Sequence, residues 1–158
     1  MNFDFYLYKF AGDTICMMSG DTLRNVFHKH GLKEIPGGHH EMRLPDGSEL
    51  ELHLHGQLDA INVMSVLFFP RSESESTLHF IFECAKSTGG FLLPMIDGNP
   101  YQLACIILEP SQRKDLPYFW KRLIVVECGS AEEFMRVLRD EGEAWIRERN
   151  RVLPQWML

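Results

Sequence analysis

The sequence predicts an α+β fold: a mainly antiparallel sheet with a short N-terminal helix and a longer C-terminal helix packed on it. Three observations predict it. Several short segments alternate apolar and polar residues with a period of two, two segments place apolar residues at helical spacing between capping signals, and no regular strand–helix repeat supports a doubly wound sheet. At 158 residues and 45% hydrophobic, residues 1–158 have the usual size of a single domain and can bury a core without staples.

The first strand is read from Phe3, Phe5 and Leu7 on one side and Asp4, Tyr6 and Tyr8 on the other. Ala11-Gly12-Asp13 reads as a turn. From roughly Asp21 to His30, Leu23, Val26 and Phe27 form a helical stripe, with Ser19 or Asp21 as cap and Gly31 as terminator. After Ile35-Pro36-Gly37-Gly38, a flexible junction, comes the histidine-rich hairpin treated below, then a strand from about Ile61 to Phe69, ended by Pro70. RSESEST reads as an exposed loop.

Leu78 to Cys84 fits two patterns. Leu78, Phe80 and Phe82 alternate, whereas Leu78, Phe82 and Ala85 make a helical stripe that Gly89-Gly90 could stop; the Phe and Ile enrichment favours strand. FLLPMIDGNPYQLACIILEP reads as two strands around the turn Asp97-Gly98-Asn99-Pro100, with Pro94 placing the first at an edge or a bulge. SQRKDLP reads as a loop and Arg122 to Glu127 as a strand. Ser130-Ala131-Glu132-Glu133 has capping-box spacing, and Phe134, Val137, Leu138, Trp145 and Ile146 then share one helical face. Gly142 weakens that helix by about 1 kcal/mol without ending it.

The stretch HHEMRLPDGSELELHLH, from His39 to His55, holds four of the seven histidines. A two-residue Asp46-Gly47 turn would pair Leu44 with Glu49 and Met42 with Glu51, mixing apolar and charged sides. A Pro45-Asp46-Gly47 loop, with Gly47 at a positive-φ bulge position, pairs Leu44 with Ser48, Met42 with Leu50 and His40 with Leu52, so the apolar residues share one face. The polar face then sets Arg43 opposite Glu49, Glu41 opposite Glu51 and His39 opposite His53, with His55 farther along.

Two chemistries fit that polar face. Glu41, Glu49, Glu51, His53 and His55 make a charged surface for a protein partner, whose contact would become pH-sensitive as the histidines acquire charge. Alternatively His39, His53 and Glu51 supply nitrogen and oxygen ligands for one transition metal, the basis of a small metal-dependent hydrolase that could also draw on Glu41. Exposed histidines that only solvate the sheet are the commonest outcome for such a pattern.

The other candidates are weaker. His79 and Cys84 stand five apart, on opposite faces of a strand or about 140° apart on a helix, so neither geometry aims one at the other. Gly37-Gly38 and Gly89-Gly90 lack phosphate-loop contexts. Asp115 to Arg122 interleaves aromatics with basic groups; such a segment can stack bases against phosphate contacts or anchor a protein interface through Tyr118 and Trp120, and cover of the core edge by Phe119 and Trp120 is the favoured reading over both. The apolar tail Trp156-Met157-Leu158 can pack back on the domain or support an oligomer, so homo-oligomerisation is a third expectation.

With 16 Lys+Arg against 22 Asp+Glu the net charge is -6, which disfavours nucleic acid as partner. The start MNFDFYLYKF has no basic region followed by an apolar run, and no segment reaches membrane-spanning length, so a cytoplasmic protein with no membrane partner is expected. Cys16, Cys84, Cys105 and Cys128 lack the clustering of a zinc module or disulfide scaffold and are read as reduced, buried thiols.

A compact acidic α+β chain without a catalytic signature resembles, in broad style, the small acidic immunity proteins that neutralise bacterial toxins. The resemblance implies an inhibitor that needs no cofactor and engages a basic toxin or enzyme electrostatically.

Overall fold

The computed structural model describes residues 3–31, 39–72, 74–96, 104–118 and 124–152, the side chains of residues 39, 96, 149, 150 and 152 excepted. Among the described residues eight strands form the sheet: β1 (Phe3–Ala11), β2 (Thr14–Cys16), β3 (His39–Arg43), β4 (Glu49–Gly56), β5 (Val63–Pro70), β6 (Phe91–Ile96), β7 (Ala104–Ile107) and β8 (Ile124–Glu127). Their order is β3-β4-β5-β1-β6-β7-β8, with β2 pairing β1; every pair is antiparallel except β7–β8. The helices α1 (Gly20–Lys29), α2 (Glu75–Thr88) and α3 (Ala131–Val152) join them in a mixed architecture.

β1 divides the molecule into two faces. Phe3, Phe5 and Leu7 point into the main core, where they join Leu50, Leu52, Val66 and Phe68 from neighbouring strands and Leu23, Phe27, Phe80 and Phe134 from the helices. The rings of Phe5 and Phe134 meet edge-on at 5.5 Å and those of Phe3 and Trp145 at 6.3 Å, which seats the C-terminal helix on the sheet. On the outer face Phe10, Phe91, Cys105, Ile107 and Leu116 form a second, smaller cluster. Leu116 belongs to the β7–β8 connection, whose described part thus packs on the outer face at that end of the sheet.

α2 corrects the strand reading of Leu78 to Cys84. Ser74 caps it by accepting from Thr77 N (3.2 Å), and Gly89, at φ +70°, closes it in the left-handed conformation. The second half of RSESEST is thus cap and first turn, not loop. Packed between α1, α3 and the sheet, α2 buries Leu78, Phe80, Ile81, Phe82, Cys84 and Ala85, so apolar residues lie around most of its circumference and mask the helical period.

Three smaller readings also change. SQRKDLP contains a 3-10 helix, Pro110–Asp115, in which Gln112 Oε1 accepts from Leu108 N and Glu109 N. Pro94 lies in an interior strand: β6 runs between β1 and β7, with Phe5 opposite Pro94, while its described ladder to β7 consists of Leu92↔Ile106. At the start of α3, Ser130 Oγ accepts from Glu133 N as the capping box requires, but the Glu133 carboxylate reaches Gly129 N (2.7 Å) rather than Ser130 N. The turn at 97–100, Phe119, Trp120 and the tail 153–158 lie outside the described residues. Among the described residues no helix is long and apolar enough to cross a membrane, and all four cysteines are free.

Glu83 clamps α2 to the end of α1, with Oε1 2.7 Å from Lys29 Nζ and Oε2 2.6 Å from His30 Nε2. Partial burial pushes its carboxyl up, but the hydrogen bonds and charges of Lys29 and His30 outweigh this and leave it below the ordinary carboxylate range. A depressed carboxylate contributes stability that is present above its unfolded-state pKa and lost as pH falls through its folded-state value. Glu83→Gln is therefore expected to cost about 0.5–1 kcal/mol at neutral pH, a modest amount because the clamp is partly solvated. That difference from wild type should vanish as acid protonates the wild-type carboxylate; urea unfolding between about pH 7 and about pH 3 measures it.

Candidate protein-binding face

The hairpin has the register that its apolar pattern requires: His39↔His53, His40↔Leu52, Glu41↔Glu51, Met42↔Leu50 and Arg43↔Glu49. Leu44 N donates to Ser48 O and Gly47 N to Leu44 O, both at 2.9 Å, with Gly47 at φ +85°. Asp46 Oδ1 accepts from the Ser48 hydroxyl (2.5 Å) and amide (2.9 Å), which hold its carboxyl below the usual range. A hydroxyl chain anchors the turn to α2: Ser74 Oγ donates to Thr77 Oγ1 (2.9 Å), which donates to Ser48 Oγ (3.0 Å). Met42, Leu44, Leu50, Leu52 and His40 are buried on the helix side, with Leu54 partly buried against the same core, so Glu41, Arg43, Glu49, Glu51, His53 and His55 alternate to the outer face.

Charges alternate across that outer face. Glu49 sits between two guanidinium groups, Oε1 2.8 Å from Arg43 Nη2 and Oε2 3.0 Å from Arg71 Nη1, while Arg71 Nη2 also lies 3.7 Å from Glu41 Oε1. The Arg43 hydrogen bond and charge, reinforced by Arg71, hold the Glu49 carboxyl below its ordinary range. Glu51 Oε1 lies 3.0 Å from His53 Nε2, and the His53 ring meets Phe69 edge-on at 5.0 Å. His55 is exposed one pleat farther along β4.

The row does not stop at β4. Across the sheet Glu51 stands beside Phe69, His53 beside Leu67 and then Tyr6, and His55 beside Ser65 and then Tyr8. Phe69, Leu67, Tyr6 and Tyr8 are half-buried. Tyr6 and Tyr8 rings lie 5.6 Å apart, and burial, aided by Tyr6, raises the Tyr8 phenol pKa. These four residues extend the candidate beyond the hairpin. Their sequence signal is present in Leu67 and Phe69 of β5 and Tyr6 and Tyr8 of β1, bulky groups at alternate positions on the nominally polar side.

Glu51 and His53 of the metal trio are in contact, and the His39 backbone is opposite His53; the His39 side chain lies outside the described residues. Among the described residues no three ligand-type side chains converge on a metal position. Tyr118 is 73% exposed, and its amide donates to Asp13 Oδ1 (2.7 Å), so it stands by the β1–β2 turn rather than on the hairpin row; Trp120 lies outside the described residues. Burial pushes the Cys84 thiol well up, Cys105 to about 12 and Cys128 to about 11, making them packing groups rather than thiolate nucleophiles at neutral pH.

Two glycines bracket β4 and separate strain from collision. A Cβ on Gly47 meets nothing, so Gly47→Ala is expected to cost only the left-handed penalty, about 1–2 kcal/mol. Gly56, at φ +132° beside a register shift, has no such space: a Cβ would overlap the Asn62 carbonyl, and Gly56→Ala is expected to cost about 3 kcal/mol or more by urea unfolding. For the charge row, an NMR titration should find Glu49 ionising below the ordinary glutamate range of about 4.3, and Arg43→Ala should move that transition upward. No protein-family model, curated protein or solved structure matches this chain.

Proposed function

We propose that the chain is a protein-binding inhibitor of the immunity type, which engages a basic cytoplasmic toxin or enzyme through the outer face of β3, β4 and β5. One observation carries this reading: the row Glu41, Glu49, Glu51, His53 and His55 is continuous with half-buried Phe69 and Leu67, and His53 touches both Glu51 and Phe69. A polar, charged rim beside aromatic and aliphatic surface is the usual anatomy of a protein interface, in which the apolar part supplies most of the affinity. The net charge of -6 supports a basic partner, since an acidic molecule accelerates encounter with one. Tyr118 and Trp120 belong to the proposal as peripheral anchors.

The test starts with affinity capture from a lysate of the source cells at low and high salt, followed by titration of the purified partner. Phe69→Ala and Glu51→Lys are each expected to weaken binding by about tenfold or more, equivalent to about 1.4 kcal/mol. Arg139→Ala, on exposed α3, should leave it unchanged. Equal affinity for wild type, Phe69→Ala and Glu51→Lys would remove this face from the function, and an unaltered toxin or enzyme activity in the complex would remove inhibition.

A further inference from the structure

β3 ends the strand order, so one of its edges faces away from the sheet. The hairpin bonds show which groups lie there. Leu44 N donates inward to Ser48 O, and with the ladder alternating, Met42 and His40 also direct their backbone groups towards β4. The N–H and C=O groups of Glu41 and Arg43 therefore point outward, and among the described residues no strand pairs with them. Charged side chains commonly guard such an edge. Here they are drawn aside: Arg43 is held over β4 by Glu49, and Glu41 lies towards Arg71 beyond β5.

Two depressions flank this strand. Beside its edge a space of about 390 Å³ is lined by Glu41, Arg43, Glu49 and Arg71 together with Met42, Leu50 and Gly31 from the helix side. At the turn end a second, of about 430 Å³, is lined by Leu44, Pro45, Asp46, Glu75, His30 and His79. A strand sends successive side chains to opposite faces, so a strand added to β3 would turn alternate side chains to the helix side, where the second space opens, and to the outer face, beside the paired charges of Glu41, Arg43, Glu49 and Arg71. The second brings apolar Leu44 and Pro45 together with acidic Asp46 and Glu75 in one lining, which suits the aliphatic stem and charged end of Lys or Arg. The first already has its own charges paired and suits small polar groups.

We infer that the outer edge of β3 accepts an extended segment of a partner protein as an added strand, with a basic side chain seated between Asp46 and Glu75. The inference rests on the protein-binding reading above and supplies its mode: main-chain hydrogen bonds give affinity, and the flanking spaces select side chains. The partner segment carries Lys or Arg on one face and small polar residues on the other.

The probe is a capped nine-residue peptide of alternating Lys and Thr, compared with a Glu–Thr peptide and with a Lys–Pro peptide of equal charge that cannot form a ladder. NMR titration of the wild-type chain should give a Kd of about 1 mM or tighter for Lys–Thr, with the Glu41 and Arg43 amides shifted and their hydrogen exchange slowed. The Glu–Thr and Lys–Pro peptides should bind at least about tenfold more weakly. Glu41→Pro removes an outward N–H without breaking the β3–β4 ladder and should abolish the protection; Glu75→Gln should weaken the Lys–Thr peptide specifically. Absence of binding, equal binding of Lys–Pro, or shifts confined to Phe69, Leu67 or β8 would overturn the inference. A captured partner that binds Glu41→Pro as tightly as wild type but loses affinity for Phe69→Ala would defeat the edge while leaving the face intact. Loss of affinity in neither variant would defeat both.

Discussion

Phe5 stands on the central strand, edge-on against Phe134 of α3, with Phe68 and Pro94 opposite it on the two neighbouring strands. It is fully buried, and burying such a ring contributes roughly 2–3 kcal/mol before any packing gain. Because strand side chains alternate, committing Phe3, Phe5 and Leu7 to the helices commits Tyr6 and Tyr8 to the outer face. Through the ladders that choice passes to Leu67 and Phe69 in β5 and to Glu51, His53 and His55 in β4. The candidate binding face is thus the reverse side of the core, and a one-residue slip anywhere between β1 and β3 would turn it inward.

The hairpin obeys the same constraint twice. Its apolar set must meet the helix side, which selects the three-residue loop, and the loop is then held from beneath by hydroxyls that run from Ser48 to the cap of α2. The second attachment matters for function. A two-stranded ribbon is marginal by itself, whereas pairing with β5 on one side and bonding to α2 below fix the charge row. Rigidity in the row and an edge that no described strand pairs with arise from one placement at the end of the sheet.

Sequence periodicity located β1, α1, the hairpin register and α3 because each has one buried side and one wet side, so composition alternates at the period of the element. α2 lacked that contrast. Covered by the sheet and by two helices, it carries Phe80, Ile81 and Phe82 in succession, a run equally suited to a buried strand. Pro94 misleads for a related reason: proline excludes a ladder donor, but β6 has its described pairing to β7 at Leu92, so the proline sits in an interior strand away from that bond. The contribution of Leu67 and Phe69 escaped because a face judged polar from β4 becomes mixed once β5 is beside it.

The α+β class, the Pro45-Asp46-Gly47 loop and the facing of Glu41 with Glu51 and His39 with His53 were legible in the residues alone, since these follow from local turn chemistry and a period of two. That α2 is a helix, that Glu49 is shared by Arg43 and Arg71, and that His53 lies against Phe69 came from the packing of the whole chain. Those outcomes depend on which strands become neighbours, a choice made by burying the whole helix-side surface at once rather than by any one segment.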